Sequence, residues 1–209
     1  MSDALLIDVR RNLSNGFTLS SAYTLSRIKS SSEGAFYVPN NQFNLHDEWA
    51  PTVGDQRHTF NVNGLWRLKY GFQLGGLYRF GSGQSYAVTA GSNPFFNGTT
   101  SNRTFLSTAK VYNNPASNYA SSAAGYSLVK RDSFYGRPIY RVDGRLQKTF
   151  AIRERYRLIA ITEVFNMLNH PNYGAYNTQI TSASYGSPQQ TTSQSYAPRT
   201  IQFAARFEF

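Results

Sequence analysis

Six segments of this chain alternate apolar and polar residues with a period of two, and a seventh follows in part; no other feature of the sequence constrains the fold as strongly. Successive strand side chains point to opposite faces, so this period makes a ribbon with one apolar and one polar face. In residues 4–13, Leu5, Ile7 and Val9 oppose Asp8, Arg10 and Asn12. In residues 17–26, Phe17, Leu19, Tyr23 and Leu25 oppose Thr18, Ser20, Thr24 and Ser26. Phe60, Val62, Trp66 and Leu68 oppose Thr59, Asn61, Asn63 and Arg67; then Phe72, Leu74, Tyr78 and Phe80 oppose Gln73, Gly75 and Arg79. Tyr140, Val142, Leu146 and Phe150 oppose Arg141, Asp143, Arg145, Gln147 and Thr149. In the last run, Ile201, Phe203, Ala205, Phe207 and Phe209 oppose Gln202, Ala204, Arg206 and Glu208. Residues 156–165 read as a strand of undecided faces, because Leu158, Ile159, Ala160 and Ile161 run together.

The connections between these strands follow an order. Ser14-Asn15-Gly16, Lys69-Tyr70-Gly71 and Ile152-Arg153-Glu154 are short. Residues 30–51, 81–135 and 166–197 are long and rich in Ser, Asn, Gly and Pro, with one short strand expected at 86–89. Successive connections of an antiparallel sheet lie at opposite ends, so every tight turn falls at one end and every long loop at the other. Bacterial outer-membrane barrels have short periplasmic turns and long extracellular loops, and strands of about 10 residues cross the bilayer. On that reading the last strand ends on the periplasmic side. A soluble sandwich also alternates, but structureless loops of this length are uncommon in compact domains. The polar faces here also carry Ser, Thr, Asn, Gln and Arg rather than Lys and Glu. The expected fold class is therefore all-β, an antiparallel transmembrane β-barrel in contact with outer-membrane lipid.

Composition agrees. The chain has 15 Tyr, 15 Phe and 2 Trp against only 15% charged residues, and aromatics mixed with small polar residues suit strands between two media and make poor helices. Without cysteine there is no disulfide framework and no Cys-based zinc site. The formal charge is +10, yet no run of Lys or Arg exceeds a pair, which argues against a nucleic-acid patch. Met1 to Arg11 lacks the pattern of an export signal. His46, His58 and His170 have no metal-ligand spacing, and Gly81-Ser82-Gly83 is not followed by a helix that would make it a phosphate loop. No nucleophile elbow is present, so the expectation is no enzyme, no metal and no cofactor.

Seven strands with loops this long are better read as part of a larger wall than as a whole barrel, since bacterial single-chain barrels have even strand numbers and an open edge in lipid leaves backbone groups unpaired. Residues 1–209 are accordingly expected to be the C-terminal segment of a larger wall, with its N-terminal strands absent.

Several motifs resemble the Oar-like TonB-dependent receptors. They are Asn15-Gly16-Phe17 leading to Ala22-Tyr23-Thr24-Leu25-Ser26, then Asp55-Gln56-Arg57-His58-Thr59-Phe60, then Gly81-Ser82-Gly83-Gln84. Val142-Asp143-Gly144-Arg145-Leu146-Gln147-Lys148-Thr149-Phe150 is similar to a strand near the end of that family's barrel. Glu163-Val164-Phe165-Asn166-Met167-Leu168-Asn169-His170-Pro171-Asn172-Tyr173-Gly174 is the strongest match, and Pro198 through Phe209 completes the set. The resemblance implies a barrel of the 22-strand type, plugged by an N-terminal domain, that imports scarce ligands with energy passed on by TonB. The plug and the TonB-contacting segment are absent from this sequence, so TonB would act only through the missing part.

Two groups of residues are candidate sites. Ile201, Phe203, Ala205, Phe207 and Phe209 resemble the C-terminal signal read by the barrel-assembly machinery; the plainer reading is that they only face lipid. The face assignment puts Asp8, Arg10, Arg67, Arg79, Arg141, Asp143, Arg145, Arg157, Glu163, Arg206 and Glu208 in the lumen. Cross-strand ion pairs are expected among them, and the excess Arg suits an anionic ligand. The plainer reading is a structural ladder contacting the plug. The loops carry no motif that names a ligand. Two functions follow: wall, lumen and loops of a TonB-dependent receptor, or alternatively a small autonomous outer-membrane barrel with an adhesive or structural role.

Overall fold

The structure is a computed structural model that describes residues 1–13, 16–34, 37–40, 43, 45–91, 103, 105–107, 119–120, 126–152, 155–189 and 194–209. Seven long strands form one antiparallel sheet: β1 (Ser2–Leu13), β2 (Phe17–Ser30), β3 (His58–Arg67), β4 (Phe72–Gly81), β5 (Ile139–Ala151), β6 (Arg157–Phe165) and β7 (Thr200–Glu208). They lie in chain order, each beside its sequence neighbour, with the two-residue strand Ala50–Pro51 added to the end of β2. The sheet is open: β1 and β7 are its edges and do not pair with each other.

The seven predicted strands are all present, and the tight turns lie at one end of the sheet. At the β3–β4 turn, Tyr70 (φ 60) and Gly71 (φ 75) both adopt the left-handed region and the Leu68 N–H donates to the Phe72 carbonyl at 2.8 Å. A Cβ at Gly71 would lie 2.6 Å from the Thr149 carbonyl oxygen, so this turn needs glycine for space as well as for φ. Of the first turn, Gly16 (φ 77) is described, while Ser14 and Asn15 lie outside the described residues. At the third turn the Ile152 N–H reaches the Tyr156 carbonyl at 3.0 Å; Arg153 and Glu154 lie outside them too.

The long connections differ from the irregular loops expected. They carry short ladders: Ser85–Tyr86 pairs with Phe134–Tyr135, Asn172–Tyr173 with Gln194–Tyr196, and Phe105–Ser107 with both Tyr119–Ala120 and Tyr126–Leu128. The strand expected at 86–89 is thus shorter and starts at Ser85, with Thr89 held by isolated bridges to Arg103 and Gln179. The physical reason is that loops packed on one another must satisfy their backbone N–H and C=O groups, and local pairing does so.

Register joins the strand faces into two continuous surfaces. Leu5, Ile7 and Val9 face Leu25, Tyr23 and Ser21; Phe17 and Tyr23 face Trp66 and Phe60; and Phe60, Val62 and Trp66 face Phe80, Tyr78 and Leu74. Leu74, Tyr78 and Phe80 in turn face Leu146, Val142 and Tyr140. The undecided strand β6 is settled by its neighbours: Leu158, Ala160, Thr162 and Val164 lie on the apolar face opposite Phe207, Ala205, Phe203 and Ile201. Ile159 and Ile161 therefore lie on the other face, which is why no alternation is visible there.

Packing is inverted relative to a water-soluble sheet. Leu5, Val9, Trp66, Leu74, Leu146 and Phe150 are all exposed on the apolar face. Among the described residues the buried apolar side chains are Ala50, Val88, Ala90, Val129 and Ile159, and the first four belong to the long connections. The interior sits above the loop end of the sheet and is held largely by polar groups: Asn40, Glu48, Asp55, Arg103, Arg131, Asp132, Asn166 and Asn172 are all buried.

Candidate functional site

Opposite the apolar surface is a charged one. Register places all eleven predicted charges on it: Asp8 and Arg10 on β1, Arg67 on β3, Arg79 on β4, Arg141, Asp143 and Arg145 on β5, Arg157 and Glu163 on β6, and Arg206 and Glu208 on β7. The expected cross-strand pairing is found at one place on this face, and pairing along a strand at three. Among the described residues of this face only Arg145 and Glu163 pair across strands, at 3.4 Å. Asp8 with Arg10 (3.1 Å), Arg141 with Asp143 (2.6 Å) and Arg206 with Glu208 (2.6 Å) pair along one strand, two residues apart. Residues i and i+2 share a face and lie close enough for a long guanidinium to fold onto the carboxylate, so Glu208 goes to Arg206 although Arg157 stands opposite it in register. Among the described residues Arg67, Arg79 and Arg157 make no ion pair, and this leaves the face net positive.

One contact on this face was not legible in the sequence. Arg79 and Arg141 stand directly opposite each other, an arrangement that like charges disfavour. The Tyr196 ring lies under both guanidinium groups, at 5.8 and 5.0 Å, and Phe165 lies 5.6 Å from Arg141. Aromatic faces offset the repulsion by cation–π attraction. Tyr196 comes from the last long connection, and nothing in its local sequence sets it apart. Beside this group, Leu77, Asp143, Arg145, Glu163 and Phe165 surround a cavity of about 270 Å³.

The segments that carry the family resemblance meet in pairs at the loop end. The buried Asp55 carboxylate accepts the Ile28 N–H at 2.9 Å, and the Gln56 side-chain amide donates to the Ser82 carbonyl at 2.8 Å. Gln56 occupies the space a side chain at Gly81 would need, and the Ser82 hydroxyl accepts the His58 N–H at 3.0 Å. Asp55-Gln56-Arg57-His58 and Gly81-Ser82 are thus two halves of one latch. The second latch joins Asp143-Gly144 to Asn166-Met167. Asp143 accepts the Asn166 N–H at 2.8 Å, and Met167 covers Gly144. Asn166 has φ 49 and is buried; its side chain donates to the carbonyls of His170 and Ala197, both at 3.0 Å, and accepts the His170 N–H at 3.1 Å. The His170 ring stacks on Tyr140 with centroids 3.7 Å apart, and Asn172 accepts the Tyr140 N–H at 2.8 Å.

A third cluster binds the loops to one another. Arg103 pairs with Glu48 at 2.9 Å and donates to the Val129 carbonyl at 3.1 Å, and the Tyr37 hydroxyl donates to Glu48 at 2.5 Å. Burial, then the hydrogen bond to Glu48, pushes the Tyr37 hydroxyl well above its ordinary pKa. Arg131 donates to the Ser30 carbonyl and lies 3.2 Å from Glu33, with Asp132 buried beside it in a left-handed conformation (φ 46). Burial first, and Glu33 second, raise the Asp132 carboxyl to about 8. Sequence reasoning passed over Arg103, Arg131 and Asp132, since single charges in polar loops carry no periodic signal.

At the end of the chain, Ile201, Phe203, Ala205 and Phe207 lie on the apolar face of the edge strand β7, and Phe209 follows it. Phe203 is 77% exposed and Phe209 93%, while Phe207 stacks on Tyr156 with centroids 5.9 Å apart. The same surface holds a residue that the alternation left out. Lys148 lies on the apolar face, donates to the Tyr70 carbonyl and sits 4.2 Å from the Phe72 ring centroid. It is placed near the tight turns, where a long amine can reach a polar boundary from an apolar surface.

A sheet that is apolar on one side and charged on the other, with tight turns at one end and latched loops at the other, is the wall of a membrane β-barrel. The family model of the outer membrane beta barrel domain matches residues 2–202, and the chain belongs to that family. Membership places it in the bacterial outer membrane. No curated protein and no solved structure matches the chain.

Proposed function

We propose that the chain is part of the barrel of a TonB-dependent receptor, in which it supplies wall, lumen and surface loops for ligand uptake. The observation that carries this is the open sheet. β1 and β7 each have one neighbour, seven strands lie in simple order between them, and lipid cannot satisfy the free edge groups. Further strands at both edges make a larger barrel. The motifs that resemble this family support the reading, because they form the latches that brace the loop end. In this barrel the charged face lines the lumen, its excess Arg draws an anionic ligand inward, and the long loops stand at the cell surface. A plug and the coupling to TonB belong to parts of the receptor outside these residues. The final strand, with Ile201, Phe203, Ala205, Phe207 and Phe209, is what the barrel-assembly machinery reads, by pairing with its free edge.

The absence of native cysteine makes the test direct. Paired cysteines are placed at Leu5, Ile7 or Val9 of β1 and at Phe203, Ala205 or Phe207 of β7, in protein inserted in outer membranes. No pair is expected to cross-link within one chain, because a disulfide needs Cα atoms within about 7 Å. Efficient cross-linking of any pair would mean closure by these seven strands alone, and would replace the receptor reading with that of a small autonomous barrel of adhesive or structural role.

A further inference from the structure

Two arginines at the loop end take part neither in the charged face nor in the latches through their side chains. Arg27 lies on the apolar face, opposite Asp3. Arg57 precedes β3, and its carbonyl accepts the Ser26 N–H at 3.0 Å. Among the described residues neither guanidinium makes an ion pair. Both line the same two cavities. One, of about 530 Å³, is walled further by His58, Ser82, Gly83 and Tyr135. The other, of about 330 Å³, joins the two arginines to Leu5 and Leu25 of the apolar face. Arg27 also shares a smaller cavity with Lys29 and Trp49.

The acids nearby do not neutralise this corner. Asp55 is 2% exposed and committed to the Ile28 N–H. Asp3 is a single carboxylate against Arg27, Lys29 and Arg57. Unpaired arginine beside an apolar surface is costly in a membrane unless an anion meets it there. A soluble anion would need only the guanidinium groups, whereas this site continues into an apolar strip. Its chemistry is that of an anionic amphiphile.

We propose that this corner binds the phosphomonoester of an anionic membrane-lipid headgroup, with Arg27 and Arg57 both donating to the phosphate oxygens and an acyl chain lying along Leu5 and Leu25. Guanidinium groups match phosphate in shape as well as charge, and two of them hold it in a fixed orientation. The inference rests on the reading of the apolar face as the lipid-contacting one.

The test uses the full-length protein in nanodiscs of phosphatidylcholine doped with a diphosphorylated glycolipid or with its dephosphorylated form, and measures the lipid retained after transfer to neutral detergent. The unaltered protein is expected to retain the phosphorylated form about tenfold better than the dephosphorylated one. Arg27→Gln with Arg57→Gln abolishes the preference, while Arg155→Gln, at the tight-turn end of the sheet, leaves it unchanged. Equal retention of the two lipids by the unaltered protein overturns the proposal without recourse to any variant. Displacement of the lipid by millimolar inorganic phosphate also overturns it and makes the site one for a soluble anion. Quenching of Trp66 by brominated lipid, in a Trp49→Phe background, reports the lipid face independently. With quenching present and the preference absent, only the site fails; with no quenching, the reading of the face fails and takes the site with it.

Discussion

Asp143 accepts the backbone N–H of Asn166 at 2.8 Å, and this bond fastens the middle of β5 to the point where β6 gives way to the last long connection. Both residues belong to segments that set this sequence apart, and they are 23 positions apart in the chain. The neighbouring pair repeats the join, with Met167 seated over Gly144. A carboxylate on one strand thus fixes where the next strand ends.

Replacement of Asn166 by Ala should lower the stability of the folded barrel by about 1–3 kcal/mol, because it strips hydrogen bonds from the carbonyls of His170 and Ala197 in a buried site. Asn166→Gly suits the positive φ but still lacks the amide, so it should recover only part of the loss. The temperature at which heat-modifiable migration disappears reads both. Equal stability of the Ala variant and the unaltered protein would show that the latch contributes nothing.

Gly71→Ala puts a methyl 2.6 Å from the Thr149 carbonyl oxygen at a φ of 75, so the tight turn and β5 must move apart. A cost of about 1–3 kcal/mol is expected from the backbone strain alone. Assembly yield in outer membranes should fall, while Gly186→Ala, with open space around its Cβ, should fall less. If both variants assemble alike, the turn tolerates a side chain.

Asp132 makes loop packing sensitive to pH. Its carboxyl is raised from 3.8 to about 8 in the folded chain, so between those values the unfolded loop has released a proton that the folded one keeps. The contribution of this group to the packing of the loops is complete below about pH 4, falls as pH rises towards 8, and changes little above that. Limited proteolysis at Lys130 and Arg131 should quicken between about pH 6 and pH 8. Asp132→Asn, which cannot ionise, should remove that part of the dependence; an unchanged pH profile in this variant would assign it to another group.

Loss of Phe209, or Phe207→Ala, should lower outer-membrane assembly more than Leu146→Ala does on the same apolar face. Leu146 sits in the middle of the sheet, whereas β7 is a free edge that ends in these two rings. Comparison of inserted with aggregated protein measures it. Equal losses would reduce the C-terminal residues to ordinary members of the apolar surface.

Most of the wall was legible because a strand's two faces are recorded directly in alternate residues. β6 was the exception. Ile159 and Ile161 place apolar groups on the charged face, so only pairing with β5 and β7 could tell its sides apart. The pairing of the charges was not legible either. Sequence showed that Arg206 and Glu208 share a face, but the choice of Arg206 over Arg157 as partner of Glu208 depends on side-chain reach in three dimensions. The latches lay between these cases. Their segments stood out as motifs, yet nothing in Gln56 or Gly81 alone reveals that one fills the space left by the other.

The sequence by itself determined the strand order, the two faces, the side on which loops are long and the concentration of charge on one surface. Each is a local property, set by a period of two or by the turn residues between strands. Tertiary structure alone decided that Tyr196 lies beneath Arg79 and Arg141, and that Glu48, Arg103, Arg131 and Asp132 share a buried loop cluster. These depend on contacts between residues far apart in the chain, whose energies come from burial and charge at places that no local pattern encodes.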